Sequence, residues 1–143
     1  MIVNLQPEVK TNLEVRLQKL RNAPFQFYLT GSRFFGHAKP NSDWDFFTAD
    51  RVDARNFLKE LDFLELNTEE IQESYRDALG TCSIYRYVDK SGQIDVQLIQ
   101  FDWLDYKIKV NNLIKNLAIC LKWAEMSKNA QRTVWSSLLS IMT

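Results

Sequence analysis

Residues 31–47, GSRFFGHAKPNSDWDFF, concentrate the side chains of this chain that could do chemistry. Asp43 and Asp45 stand one residue apart in an apolar setting, Trp44-Asp45-Phe46-Phe47. On a strand, alternation sends both carboxylates to one face and Trp44 and Phe46 to the other, into a core. Two like charges a few Å apart hold a proton unless a cation relieves them. Carboxylate oxygens are the ligands Mg²⁺ prefers. Asp95 repeats the pattern between Ile94 and Val96, which point inward while Asp95 points outward. If that segment pairs beside Asp43–Thr48, three carboxylates meet. Three suffice for two metal ions ~3.5–4 Å apart, the arrangement of in-line phosphoryl displacement. The turn supplies the complement. Gly31 lets the backbone approach a ligand closely, and Ser32 offers a hydroxyl. The amides that follow can cradle an anion, and Arg33 adds a planar cation for phosphate oxygens.

These residues need elements to position them. Pro7–Arg21 reads as a helix with Leu13, Leu17 and Leu20 on one face. Phe25–Thr30 is a short buried strand ending at the Gly31-Ser32 turn, where a short helix begins. Pro40-Asn41-Ser42 is a loop, and Asp43–Thr48 a second strand. Asp53–Leu61 is helical, with Phe57, Leu58 and Leu61 as its apolar side. Phe63–Leu66 is a short strand, and Glu69–Leu79 a weak helix stopped by Gly80. Thr81–Val88 and Gln93–Gln100 alternate and are joined by a hairpin turn at Asp89–Gly92. Phe101–Lys128 reads as a long helix broken near Asn111-Asn112, with Leu104, Ile108, Leu117 and Leu121 buried. Gln131–Met142 is a last helix anchored by Val134, Trp135 and Leu138. The expected class is α+β: a small mixed or antiparallel sheet of three to five strands with helices packed on it. All 143 residues fit one domain, with a core about 22–100 carrying the site and C-terminal helices about 101–143.

Composition removes other chemistries. No apolar run reaches the ~20 residues of a membrane span. The start, MIVNLQPEVK, lacks signal-peptide features. Cys82 and Cys120 belong to no motif, as free thiols of a reducing cytoplasm would. One histidine, His37, and two distant cysteines make no zinc site. Ser32 lacks the nucleophile-elbow context, and the turn is no Walker A loop. Tyr85 and Tyr87 share a strand face that could reach the cleft rim and stack on a base; core packing is the competing role. Net charge is zero. Yet eleven acids face four bases between Asp43 and Asp77, and six bases face one acid between Lys107 and Arg132. That basic stretch is either a solvated helix surface or a face for phosphates.

The run Gly31-Ser32-Arg33, Gly36, Pro40, Ser42-Asp43-Trp44-Asp45, with Ile94-Asp95-Val96 later, resembles the signature of the DNA polymerase beta-like nucleotidyltransferase superfamily, in particular its minimal nucleotidyltransferases. The likeness covers about half the chain. It implies a polymerase beta palm-like fold. The implied activity is transfer of a nucleoside monophosphate, AMP by default, from a triphosphate (ATP with two Mg²⁺) to a hydroxyl acceptor. Asp43, Asp45 and Asp95 would be catalytic and metal-binding, and Gly31, Ser32, Arg33 and Ser42 would bind nucleotide. The group often carries Ala-Arg before the second glycine. Phe34-Phe35 stands there, so one phosphate-facing cation is missing, with His37 or Lys39 as substitutes. Small members commonly act with a partner, including as antitoxins that adenylylate a HEPN-type toxin. A protein hydroxyl is the preferred acceptor; RNA ends and small molecules stay open, as does a second subunit completing the cleft. The competing reading is a catalytically silent binding module of the same fold that acts by occupying a protein or RNA partner.

Overall fold

The computed structural model describes residues 12–66 and 85–142. In chain order these hold α1 (Asn12–Arg21), β1 (Tyr28–Thr30), α2 (Ser32–Phe35), β2 (Trp44–Ala49) and α3 (Val52–Glu60). Then come β3 (Leu64–Leu66), β4 (Tyr85–Val88), β5 (Ile94–Ile99), α4 (Phe101–Leu117), a 3₁₀ turn (Trp123–Glu125) and α5 (Lys128–Met142). The strands form one five-stranded mixed sheet in the order β1-β2-β5-β4-β3. Only β2 and β5 run parallel; the other three pairs are antiparallel. The fold is α+β. Among the described residues no helix is long and apolar enough to cross a membrane.

Strand alternation divides the sheet into two chemically different faces. Ile94, Val96, Leu98 and Tyr87, all fully buried, join Leu58, Ala54 and Leu20 in a core beneath α1 and α3, with Trp44 and Phe46 packed against it. The opposite face carries Phe47 and Ile99 at one end, under Trp103, Leu104 and Ile108 of α4. At its other end it carries Thr30, Asp45, Arg86, Asp95 and Gln97, and there the apolar cover stops. A second core of Val110, Ile114, Ala118, Trp123 and Leu139 ties α4 to α5, with Phe35 of α2 packed on it.

Several expected boundaries move, each for a local reason. Of Phe25–Thr30 only three residues are strand. Phe25 and Phe27 instead pack on Phe57, at ring separations of 5.7 and 6.1 Å. The Gln26 carbonyl accepts from the Thr48 hydroxyl at 2.7 Å. The long helix does not break at Asn111-Asn112 but runs unbroken to Leu117. Asn111 is buried with its amide satisfied: the Thr30 hydroxyl donates to its Oδ1 at 2.6 Å, and its Nδ2 donates to the Leu29 carbonyl at 3.0 Å. A polar residue in a helix interior is stable when tertiary partners complete it. Leu117 is 37% exposed, because the buried stripe runs through Val110, Ile114 and Ala118 instead. Tyr85 and Tyr87 face the α3 side, with the Arg55 guanidinium 4.2 Å over the Tyr85 ring. The cleft side of β4 belongs to Arg86. The first residues of the N-terminal helix, the Glu69–Leu79 helix, the start of the Thr81–Val88 strand and Cys82 lie outside the described residues.

The hairpin that presents Asp95 is pinned by Asp89, which is 2% exposed. Its carboxylate accepts from the amides of Gln93 and Ile94, the Ser91 hydroxyl and Arg16 of α1, the last at 2.9 Å. Burial raises its pKa, but the Ser91 hydroxyl, the two amides and Arg16 outweigh that, and it titrates below its ordinary value. The stabilisation is therefore present above the ordinary carboxylate pKa and lost as pH falls through the lowered one. Asp89→Ala strands the buried Ile94 amide, the Gln93 amide and a cation, so it should cost about 2–4 kcal/mol. Thermal denaturation at pH 7 checks this; a Tm within a degree of the parent protein would show that the hairpin does not depend on Asp89.

Candidate active site

Asp45 and Asp95 are direct partners across the parallel β2–β5 pair. Residues in register on adjacent strands share a face, so the two carboxylates are neighbours on the α4 side of the sheet. Asp43 sits just before β2, where the Trp44 amide donates to the Gln93 carbonyl at 2.8 Å. All three aspartates line one cavity of about 520 Å³, a volume typical of small-molecule sites. Gly31, Ser32 and Ser42 line it too. The structure thus brings together six of the seven residues expected from sequence.

The turn is built around Asp45. Gly31 has φ 71° and ψ −161°, a region open essentially to glycine alone. A Cβ on Gly31 would lie 2.4 Å from Asp45 Oδ2. The Gly31 carbonyl accepts from the amides of Phe34 and Phe35, closing α2 immediately. Ser42 is placed by its loop: its hydroxyl accepts from the Lys39 amide at 2.8 Å.

Arg33 is the seventh residue, and it does not line the cavity. Its guanidinium lies 4.3 Å over the Trp44 ring. It donates to the Ser42 carbonyl from Nη2 at 2.8 Å and from Nε at 3.1 Å, and to the Pro40 carbonyl at 3.3 Å. Arg33 is the clasp of the loop that carries Ser42 and Asp43. Of the two residues read as substitutes for the missing cation, His37 lines the cavity and Lys39 does not.

The acidic wall is electrostatically loaded. Desolvation, reinforced by Asp95 and Asp43, raises the Asp45 pKa to about 6 against the opposing pull of Arg86 and Lys128. Burial also raises Asp95, opposed by its hydrogen bond and ion pair with Arg86. Asp95 faces away from Ile94 and Val96, as alternation implies, yet it is only 8% exposed, because α4 and α5 close over that face. Arg86 engages Asp95 Oδ2. Asp95 Oδ1 is buried with no hydrogen-bond partner among the described residues. Such an orphan acceptor needs a proton or a cation. Among the described residues no three acidic, histidine or cysteine side chains already converge as a closed metal-ligand set. The residues that suit a hard cation are the Asp43–Asp45 pair and the free oxygen of Asp95.

Local sequence reasoning missed the rest of the cavity. For Arg86 the signal is alternation along β4, which puts it on the face opposite Tyr85 and Tyr87. Lys107 of α4 and Lys128 and Arg132 of α5 form the facing wall, with Trp135 beside them. The signal for these three was the basic run after Lys107. The run's position in sequence does not say which of its cations turn inward. No family model, no curated protein and no solved structure matches the chain.

Proposed function

We propose that this chain is a Mg²⁺-dependent nucleotidyltransferase of the polymerase beta-like kind, moving AMP from ATP onto a hydroxyl acceptor. The observation that carries the reading is the register partnership of Asp45 with Asp95, with Asp43 and the Gly31-Ser32 turn in the same cavity. In this reading the acceptor oxygen bonds to the α-phosphorus. The bond from that phosphorus to the oxygen bridging the β-phosphate breaks, and pyrophosphate leaves with the electron pair. The acceptor's proton passes to Asp95, whose raised pKa and unpartnered Oδ1 suit a base. Asp43 and Asp45 would hold divalent cations together with Asp95, and bound Mg²⁺ would neutralise charge developing on the phosphoryl oxygens. The chain's own contribution is placement: Ser32 and Ser42 at the turn and loop, Arg33 clasping the loop, and the walls excluding water.

A hydroxyl of a partner protein, such as a HEPN-type toxin, is the preferred acceptor by resemblance, with RNA ends as the other class. Lysate incubated with the protein, Mg²⁺ and α-³²P-ATP should yield a labelled acceptor, whereas γ-³²P-ATP should yield none. EDTA should abolish the signal. Label arriving from the γ-position would refute the reading, since it would mean the terminal phosphoryl moves. The Arg86–Asp95 ion pair favours a second reading, in which the third carboxylate is already neutralised and the protein is a silent module. Metal-dependent nucleotide binding without transfer to any acceptor would select it.

A further inference from the structure

The end of β1 is held by a residue 81 positions further along the chain. β1 is an edge strand of three residues, paired on one side with β2. The outer backbone groups of such a strand need partners from elsewhere. Asn111 of α4 supplies one: its Nδ2 donates to the Leu29 carbonyl at 3.0 Å. Its Oδ1 accepts from the Thr30 hydroxyl at 2.6 Å. The two contacts fix each other's polarity. An amide whose nitrogen serves a carbonyl has only its oxygen for the hydroxyl, so the hydroxyl must donate. Asn111 is 3% exposed, and its helix neighbours Val110 and Ile114 are fully buried in the core that joins α4 to α5.

Thr30 lines the cavity, and Asn111 does not. Thr30 has one hydroxyl proton and spends it on Asn111, so it cannot donate to a phosphate oxygen. Its part in the site is to hold its neighbours. It is the register partner of Asp45 and directly precedes Gly31. A Cβ on Gly31 would lie 2.4 Å from Asp45 Oδ2, so turn and carboxylate are in close contact. The turn is thus tied at two points: its glycine abuts Asp45, and the two residues before it are bonded to α4.

Resting on the nucleotidyl-transfer reading, we propose that Asn111, acting through Thr30, is a positioning residue that sets the Gly31-Ser32 turn against Asp45. Transfer then depends on how α4 docks on the sheet, because the groups that cradle phosphate and the groups that hold cations are brought to one height by a side chain of that helix.

Paired polar groups allow a test that separates position from stability. Thr30→Val leaves Asn111 Oδ1 buried without its donor and should lower the Tm. Thr30→Val with Asn111→Leu removes both partners at similar shape, which restores most of the stability but not the tie. Label transfer from α-³²P-ATP in lysate, followed against ATP concentration, should fall on the order of tenfold or more at saturation in the double variant, with half-saturation shifted by less than about threefold. Thr30→Ser keeps the donor and should stay within about twofold of the parent protein. Amide hydrogen exchange reads the turn without any substrate. The Phe34 and Phe35 amides, which donate to the Gly31 carbonyl, should exchange about tenfold faster in the double variant, while those of the β2–β5 pair stay protected. Thr30→Val alone carries the same expectations for rate and exchange, so the test does not depend on the double variant folding. Either a parental transfer rate or unchanged protection of Phe34 and Phe35 would overturn the positioning role and leave the transfer reading standing. A parent protein that transfers no α-label would sink the transfer reading, and the exchange of those two amides then decides by itself whether Asn111 holds the turn.

Discussion

Asp45→Asn should abolish transfer and, in the absence of metal, make the protein more stable at pH 8. Both effects have one cause. Asp45 is desolvated and faced by Asp95 and Asp43, which lift its pKa from 3.8 to about 6. Between those two values the folded state binds the proton that the unfolded state has released. Stability therefore falls as pH rises through this window, and above it the carboxylate stays charged at a cost. Asparagine keeps the shape and removes the charge. The metal-free variant should gain roughly 1–3 kcal/mol at pH 8, seen as a Tm several degrees higher. The gain should shrink as pH falls through this window and vanish only below 3.8, where Asp45 is protonated in both states. Transfer should fall at least about a thousandfold, the scale of losing a cation ligand that offsets transition-state charge. Thermal melts from pH 4 to 8 in EDTA, paired with the α-³²P-ATP assay, check both arms. A variant less stable than the parent at pH 8 would mean that Asp45 is paired and not strained. Undiminished transfer would remove it from the site.

Gly31→Ala should be almost as damaging, with a single methyl group. At φ 71° and ψ −161° an alanine is strained wherever it stands. Here its Cβ also lands 2.4 Å from Asp45 Oδ2, far inside van der Waals contact. Either the carboxylate or the turn must shift, and the turn is held by the Phe34 and Phe35 amides on the Gly31 carbonyl. A cost of about 2–4 kcal/mol follows from the strain and the clash together. Transfer should fall by about a hundredfold or more, since sub-ångström placement decides in-line geometry. Melting temperature and turnover together check this. A fully active Gly31→Ala protein would show that the close approach of turn and carboxylate has no role in the chemistry.

The local readings that held share a physical basis: they rest on periods of two and 3.6 and on turn residues. Asp43–Thr48 and Gln93–Gln100 alternate, so which side of each strand is acidic was readable from a few neighbours. Readings that rested on partners fared differently. Asn111-Asn112 looked like a break because the sequence does not show Thr30 and the Leu29 carbonyl waiting for that amide. Arg33 looked like a phosphate ligand because its spacing from the turn is right. The tertiary structure gives its fork nearer acceptors in Ser42 and Pro40.

What the amino-acid order determines by itself is therefore the acidic wall and its turn: a glycine at the strand end, two aspartates one residue apart and a third between branched apolar residues. That β2 and β5 lie side by side and parallel, with Asp45 opposite Asp95, only the folded sheet decides. The same is true of the basic wall, where Lys128 and Arg132 face the carboxylates. Side-chain alternation is a property of a few covalently adjacent residues, whereas the occupant of the space across a cleft is set by packing between segments distant in sequence. Here the buried contacts of Trp123, Leu139 and Ile114 swing α5 over the sheet.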